Sequence, residues 1–129
     1  MNKALGLIES IGLATAVTAL DAASKAADVT LIGYEQVIGV GGVVGITVEI
    51  AGEVAAVRAA VDAGLEAGNR VGTIVSSHVI PRPHDEIDKL IEESAKNLSK
   101  KEDNAKDEKA KKKNTKKKNT NTKKNKKEE

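Results

Sequence analysis

The side chains that could do chemistry stand mostly around the two histidines, His78 and His84. Ser76 and Ser77 directly precede His78, which suggests a nucleophilic serine activated by a histidine base. Adjacent residues of a strand point to opposite faces, so these three side chains cannot converge as a triad. We therefore predict no catalytic residues, and the chain is not expected to be an enzyme.

The histidines are also poor candidates for a metal site. The chain has no cysteine, and the carboxylates next to His84 are those of Asp85 and Glu86. These residues do not have the ligand spacing that is typical of a zinc site. We expect no metal and no cofactor, and we interpret the histidines as strand-end or interface residues.

A second candidate is the glycine-rich stretch 33–52, which carries no charge from residue 37 to residue 48. Glycine-rich loops bind phosphate when they end in Gly-Lys-Ser/Thr and lead from a strand into a helix. This loop contains no lysine and joins two strand-like segments, so phosphate binding is not predicted. Loops are normally polar and exposed. An apolar loop therefore indicates a surface that several chains share.

Hydrophobic periodicity predicts the elements that position these stretches. Helices with an apolar stripe are predicted from Leu13 and after Glu53, and a last helix is predicted to be capped by Asp85. The stripe expected to be buried on the first helix consists of Leu13, Ala16, Val17, Leu20, Ser24 and Ala27. The predicted strands are 3–9, 29–37, 46–50 and 71–80. The order predicts an α+β fold, a ferredoxin-like βαββαβ sandwich with a C-terminal helix and the helices on one face of an antiparallel sheet.

Charge divides the chain into two unequal parts. Residues 100–129 hold fourteen lysines and six acids, a formal charge of +8, whereas residues 1–99 carry a formal charge of −6. Residues 111–127 consist of Lys, Asn and Thr alone, a composition that cannot bury enough apolar surface to fold. We predict a single folded domain over 1–98 and a disordered Lys/Asn-rich tail over 99–129.

Composition also excludes several classes of protein. Tyr34 is the single aromatic residue, which argues against base-stacking nucleic-acid modules and stacked sugar sites. The absence of cysteine excludes disulfides and thiolate metal sites. The apolar run 11–20 has helical spacing and follows Glu9, so we do not interpret it as a signal peptide, and no segment is long enough to span a membrane. A core of small side chains is expected to need oligomer contacts.

Four segments carry a resemblance to a known family: "ALGLIES.GL", "DAASKAADVTLIGYE", "GEVAAVRAAVDAG" and "HVIPRPHDEI". In this order they resemble the hexamer-forming shell proteins of bacterial microcompartments, of the propanediol- and ethanolamine-utilisation type, over residues 3–91. The segment "HVIPRPH" is the most specific of them. The resemblance implies a structural shell protein in the bacterial cytoplasm. Such proteins form flat cyclic homo-hexamers with a central pore that tile edge to edge with other shell proteins.

The resemblance also implies residues at the edge between hexamers. Lys25 matches a lysine that crosses between adjacent hexamers, and Arg82 matches an arginine that contacts the neighbouring hexamer. Asp28 takes a place usually held by a polar residue, and Pro83 and His84 shape the same edge. The flanking prolines fix φ and hold the neighbours of Arg82 extended, which presents the planar guanidinium at a defined angle.

The central loop departs from the family. Between Gln36 and Ile46 this chain has nine residues, none with a hydroxyl group, where members of this type have about five. Six copies would offer backbone groups and valines at the axis, and apolar constrictions can gate by dewetting. We predict a pore that is narrower or more mobile than usual. The predicted pore-lining residues are Gln36, Val37, Ile38, Gly39, Val40, Gly41, Gly42, Val43, Val44 and Gly45.

The role of the tail and the function of the body each have alternatives that remain open. The tail can be a solvated appendage, it can contact acidic encapsulated enzymes or the acidic bodies of neighbouring subunits, or it can bind nucleic acid non-specifically, the least expected of the three. The rival function for the body is a small oligomeric regulatory domain that binds a metabolite between subunits. That function predicts a polar, charged pocket loop, which the apolar loop here does not offer.

Overall fold

A computed structural model describes residues 3–39 and 42–96. The elements are β1 (Ala4–Ile11), α1 (Leu13–Ala26), β2 (Val29–Ile38), β3 (Val44–Gly52), α2 (Val54–Val71), β4 (Ile74–Ile80) and α3 over 85–96. The strands form one antiparallel sheet in the order β2-β3-β1-β4. The α+β fold with βαββαβ order and a terminal helix is confirmed.

The chain divides into two units, Met1–Ala95 and Lys96–Glu129. Of the second unit, Lys96 alone belongs to the described residues. The predicted boundary between 98 and 99 and the predicted disordered tail therefore lie outside the described residues.

Among the element boundaries that differ from the sequence prediction, two are explained by a hydrogen bond at the end of a helix. Val71 closes α2 and does not open the last strand, because the helix continues until the N–H of Gly72 donates to the carbonyl of Gly68 at 3.0 Å. The cap of α3 is His84 and not Asp85. His84 Nδ1 accepts a hydrogen bond from the Glu86 N–H at 3.2 Å, which satisfies one of the free donors of the first turn.

The core lies between the sheet and the two helices α1 and α2. Ile8, Ile50 and Val57, from β1, β3 and α2, are each no more than 1% exposed. The spacing of α2 predicts an apolar stripe of Val54, Val57, Val61, Gly64, Leu65 and Gly68, of which four are buried and Val54 and Leu65 are partly buried. The buried four are Val57, Val61, Gly64 and Gly68.

The buried face of α1 differs from the predicted stripe. Ala16 and Ala19 are buried, whereas Leu13 is 65% exposed and Val17 is 53% exposed. The cause is the close approach of α2, since a Cβ at Gly64 would lie 2.8 Å from the carbonyl oxygen of Ala19. A contact this close admits only small side chains, so the alanines face α2 and the larger apolar residues do not.

The second face of the sheet is partly covered by α3. Ser94 of this helix is 1% exposed, and its Oγ donates to Glu35 Oε1 of β2 at 3.2 Å. Ile91, one turn earlier, is also buried. The terminal helix therefore shields part of a face that α1 and α2 leave open.

Candidate functional site

The strand register places the two predicted groups of site residues at opposite ends of the sheet. Val29 pairs with Gly52 at one end, beside the start of β1 and the end of β4, whereas Ile38 pairs with Val44 at the other. The ten residues of β2 between these pairs span about 30 Å. We call the described residues of 36–45 the hairpin end. The edge end consists of Lys25, Asp28, Arg82, Pro83 and His84.

The hairpin end is more regular than the sequence predicted. Val37 pairs with Gly45 and Ile38 pairs with Val44, so both strands continue into a stretch that was expected to be an irregular loop. The expectation of a loop is therefore wrong for Ile38, Val44 and Gly45, whereas Gln36 and Val37 lie in β2 as the predicted strand 29–37 requires. These residues therefore belong to a β-hairpin, because backbone pairing continues wherever alternate residues can still meet a partner strand.

The turn of the hairpin is short and closed by backbone hydrogen bonds. The N–H of Gly39 donates to the carbonyl of Val43 at 2.8 Å. The φ angle of Gly42 is +79°, a conformation that favours glycine because it has no Cβ. The N–H of Gly12 donates to the carbonyl of Val44 at 2.9 Å, which ties the hairpin base to the start of α1. Val40 and Gly41 lie outside the described residues.

The hairpin end exposes apolar side chains. Ile38 is 72% exposed, Val37 is 59% exposed and Val43 is 45% exposed. Glu35 and Gln36 are also exposed, so the polar residues stand at the base of the hairpin and the apolar ones near its tip. A cluster of exposed apolar side chains is typical of a surface that another chain covers.

The edge end holds its cations in two different ways. Lys25 Nζ lies 2.7 Å from Asp21 Oδ2 one turn earlier on α1, and both side chains are largely exposed. Arg82 is exposed, but the following Pro83 is buried in the body, so the backbone at Arg82 is anchored. His84 is exposed and caps α3. Asp28 is exposed as well.

Lys25 and Arg82 are not brought together within one chain. Lys25 lies close before β2 and Arg82 directly follows β4, and these are the two outer strands of the sheet. Three strand spacings separate β2 from β4, which amounts to about 14 Å. Each chain therefore presents the two cations near opposite edges of the same end.

Sequence reasoning missed an apolar groove between α1 and the β2 side of the sheet. The groove has a volume of about 240 Å³. Its lining residues are Leu13, Ala16, Val17, Leu20, Leu31, Tyr34, Ile46 and Val48. The periodic stripe of α1 was the signal for it, but the stripe was assigned to the core. At the opposite side of the sheet, Val71 is 60% exposed and Val75 is 54% exposed.

The serines and histidines do not assemble into a reactive group. Ser76 Oγ donates to Glu9 Oε2 at 2.9 Å, and His84 Nδ1 is engaged by a backbone N–H. Within 3–39 and 42–96 no group of three or more His, Cys, Asp or Glu residues could hold a metal ion. None of the helices in these ranges is long and apolar enough to cross a membrane.

Comparison with known proteins decides the family. The BMC domain family matches residues 4–83, a span that includes both ends of the sheet except His84. The chain belongs to the BMC domain family. The resemblance stated from the sequence is confirmed.

Several curated members of this family are similar to the chain. The bacterial microcompartment shell protein PduA of Citrobacter freundii is 48% identical over 90 residues, which cover 70% of this chain and 92% of that protein. The carboxysome shell protein CsoS1 of Prochlorococcus marinus is 52% identical over 88 residues, which cover 68% of this chain and 82% of that protein. The carboxysome shell protein CcmK1 of a Synechocystis species is 44% identical over 91 residues, which cover 70% of this chain and 80% of that protein.

A solved structure supports the same fold. A microcompartment protein from Desulfitobacterium hafniense is similar with a TM-score of 0.61 and 36% sequence identity. The similarity covers 69% of this chain and 48% of that chain, so this chain spans about half the length of that protein. The relatives of this BMC domain are structural shell proteins, and none of the names given above is that of an enzyme.

Proposed function

We propose that this chain is a non-enzymatic structural subunit of a bacterial microcompartment shell. In this proposal the chain forms cyclic homo-hexamers, and these hexamers tile edge to edge with other shell proteins to build the shell of the compartment. The observation that supports it best is the placement of the apolar hairpin and the cationic edge residues at opposite ends of one BMC domain. A ring of such subunits can direct one end to its centre and the other to its perimeter.

The two sides of the sheet suit a head-to-tail ring. The β2 side carries the apolar groove with Leu13 and Val17, whereas the other side exposes Val71 and Val75. The two surfaces are different and both are apolar, so a contact between them would be heterologous. A heterologous contact that closes on itself produces a cyclic oligomer, and it would cover apolar area that a single chain leaves in water.

The hairpin end would line the pore. Its backbone groups and apolar side chains would meet around the axis, and residues 37–48 bring no charge there. Solutes would therefore be selected by pore width and by hydrogen bonding to backbone groups. In this proposal the pore is formed by 36–45, with the β-pairing of Ile38 and Val44 keeping the hairpin extended.

The edge end would join hexamers. Arg82, anchored by the buried Pro83, would donate to carbonyl oxygens of a neighbouring hexamer, since a guanidinium offers several donors in a fixed plane. Lys25 would cross the same boundary once it leaves Asp21, an exposed pair whose loss costs little. Asp28 and His84 would complete the polar rim.

Imaging of the purified full chain tests this function. We expect negative-stain electron microscopy to show hexagonal sheets or tubes, and sedimentation under conditions that dissolve them to show hexamers. Dimers or trimers that change with an added metabolite would contradict the shell proposal and support a regulatory domain.

We also propose that the lysine-rich segment 100–129 contacts acidic encapsulated enzymes. Its formal charge of +8 supports this, because opposite charge steers association at low salt. The test is co-sedimentation of acidic proteins with shells across a salt series, using a variant with the ten lysines of 111–127 changed to Gln as the control. Binding of RNA or DNA in a gel shift at low salt, with no binding of acidic proteins, would contradict it.

A further inference from the structure

The second face of the sheet carries a row of polar side chains across all four strands. Glu35, Thr47, Glu9 and Ser76 are consecutive cross-strand partners in β2, β3, β1 and β4. Partners in a ladder point to the same face, so two carboxylates and two hydroxyls stand in one line. Glu49, two residues from Thr47 on β3, points to the same side.

Glu49 differs from the other acids because it is buried under α3. It is 6% exposed, and Ser94 of α3 covers it. Its Oε2 has no hydrogen-bond partner, while the nearby Ser94 hydroxyl donates to Glu35. A buried carboxylate without a countercharge is costly, so the site needs a cation or a proton.

The packing is tight on the Gly33 side of Glu49. The residue across the ladder is Gly33, and a Cβ added there would lie 2.6 Å from Glu49 Oε2 and 2.9 Å from Ser94 Cβ. Gly33 and Ser94 therefore close this side of the carboxyl group, and within the described residues no group of three or more His, Cys, Asp or Glu residues could hold a metal ion beside it. A proton needs no additional space on the carboxyl group, and it turns the oxygen into a donor toward neighbouring oxygens.

Burial and the neighbouring carboxylate act in the same direction. Burial raises the pKa of Glu49, the negative charge of Glu35 raises it further, and the Ser94 hydroxyl lowers it by less. The other charged groups around this space are Glu9 on β1 and His78 on β4, two strands away. On α3 itself, the charged residues from position 88 onward are the half-buried Asp88 and the exposed Lys89, Glu92, Glu93 and Lys96.

We propose that α3 is a proton-controlled clasp on the second face of the sheet. Glu49 holds a proton while Ser94 covers it, and it releases the proton when α3 lifts away and water reaches the carboxyl group. Opening exposes a face with three acids, Glu9, Glu35 and Glu49.

The sign of the pH dependence follows from proton linkage. The closed state has the higher pKa, so it binds more protons than the open state at pH values between the ordinary pKa of a glutamate and the raised one. Closure is therefore tightest below that window and weakens as the pH rises through it. Above the raised pKa it stays at its weakest.

Hydrogen exchange of the full chain tests the clasp. Amide exchange of peptides from 88–96 would be measured from pH 5 to pH 8 and corrected for intrinsic rates. We expect protection to fall with rising pH by up to about tenfold per unit, since one proton is linked. Glu49→Gln keeps the shape and removes the ionisation, so its protection should be high and independent of pH. Glu92→Gln, an exposed acid of the same helix, should behave like the wild type.

Three further variants keep the test decisive. Glu35→Gln should move the midpoint of the wild-type curve to lower pH, which can be measured even if Glu49→Gln does not fold. His78→Asn should leave the slope unchanged, and His84→Asn should change protection in the first turn of α3 alone. A wild-type curve without pH dependence, an unchanged slope in Glu49→Gln, or an unchanged midpoint in Glu35→Gln would overturn the proposal.

Discussion

The two ends of the sheet use opposite chemistry to present a surface. The hairpin end is uncharged from residue 37 to residue 48 and takes its shape from backbone pairing and a tight glycine turn. The edge end presents Lys25, Arg82 and His84 from a helix end and a proline-flanked segment. The difference has a physical reason. In the proposed hexamer the hairpin end would lie near the axis, where a group meets copies of itself and like charges repel, whereas the edge end would lie at the perimeter, where a cation can meet carbonyl oxygens of another surface.

Loss of Arg82 should have the largest effect. Arg82→Ala removes the anchored guanidinium. The protein concentration at which sheets form should therefore rise about thirtyfold or more, which is the loss expected for an arginine hot spot. Hexamers should persist in sedimentation, because the groove and the hairpin are untouched. The matched control is Arg58→Ala on the exposed face of α2, which should tile normally. Equal loss in both variants would remove the special role of the edge end.

A charge at the hairpin tip should have the next largest effect. Ile38→Glu, at a position 72% exposed, would bring six carboxylates near one axis and weaken the hexamer by repulsion. Added salt should restore it, since screening shortens the range of the repulsion. Leu90→Glu on α3, 56% exposed, is the control and should leave sedimentation unchanged. An Ile38→Glu hexamer as stable as wild type at low salt would place the hairpin away from the axis.

The close contact between α1 and α2 can be tested through Gly64. Gly64→Ala would force a Cβ within 2.8 Å of the Ala19 carbonyl oxygen, an overpacking that costs about 1–3 kcal/mol against about 1 kcal/mol gained in helix propensity. Urea unfolding should show a net loss of stability. Gly45→Ala at the hairpin meets its nearest atoms at 3.5 and 3.7 Å and should be tolerated. A larger loss of stability in Gly45→Ala than in Gly64→Ala would contradict the close contact between α1 and α2.

The smallest expected effect concerns the ion pair on α1. Asp21→Asn should change the free energy of unfolding by no more than about 0.5 kcal/mol, because exposed pairs of this spacing contribute little. It should leave tiling intact, whereas Lys25→Ala should weaken tiling at unchanged stability. A large loss of stability in Asp21→Asn, measured by the same urea titration, would mean that Lys25 stabilises its own chain. It would then not be available to contact a neighbouring hexamer.

Local patterns were enough to predict the elements and the family. The alternation of Ile46, Val48 and Ile50 predicts a half-buried strand, and all three are buried. The spacing of Val57, Val61 and Gly64 predicts the face of α2, because residues three and four apart lie on one side of a helix. The segment around Arg82 carries the family resemblance. These signals come from neighbours in the chain, so no distant contact is needed to read them.

The buried face of α1 and the structure of residues 36–45 were predicted less accurately from the sequence. The apolar period of α1 was recognised, but the larger residues Leu13 and Val17 were placed in the core. Helical spacing was taken as the guide to burial, while the close approach of α2 at Ala19 decides which face is buried. The hairpin was interpreted as a flexible loop because four glycines among valines offer several possible turn positions and do not show where strand pairing stops. The pore and edge roles remain predictions.

By itself, the sequence determined the order of the elements, the α+β fold, the division of charge and the family, since periodicity and short motifs encode all four. Tertiary structure alone decided three other features. Gly64 against Ala19 selects the alanine face of α1, pairing of Ile38 with Val44 extends the hairpin, and Ser94 buries Glu49. In each case the partners lie several to more than forty residues apart, and their contact exists only once the sheet and helices have come together.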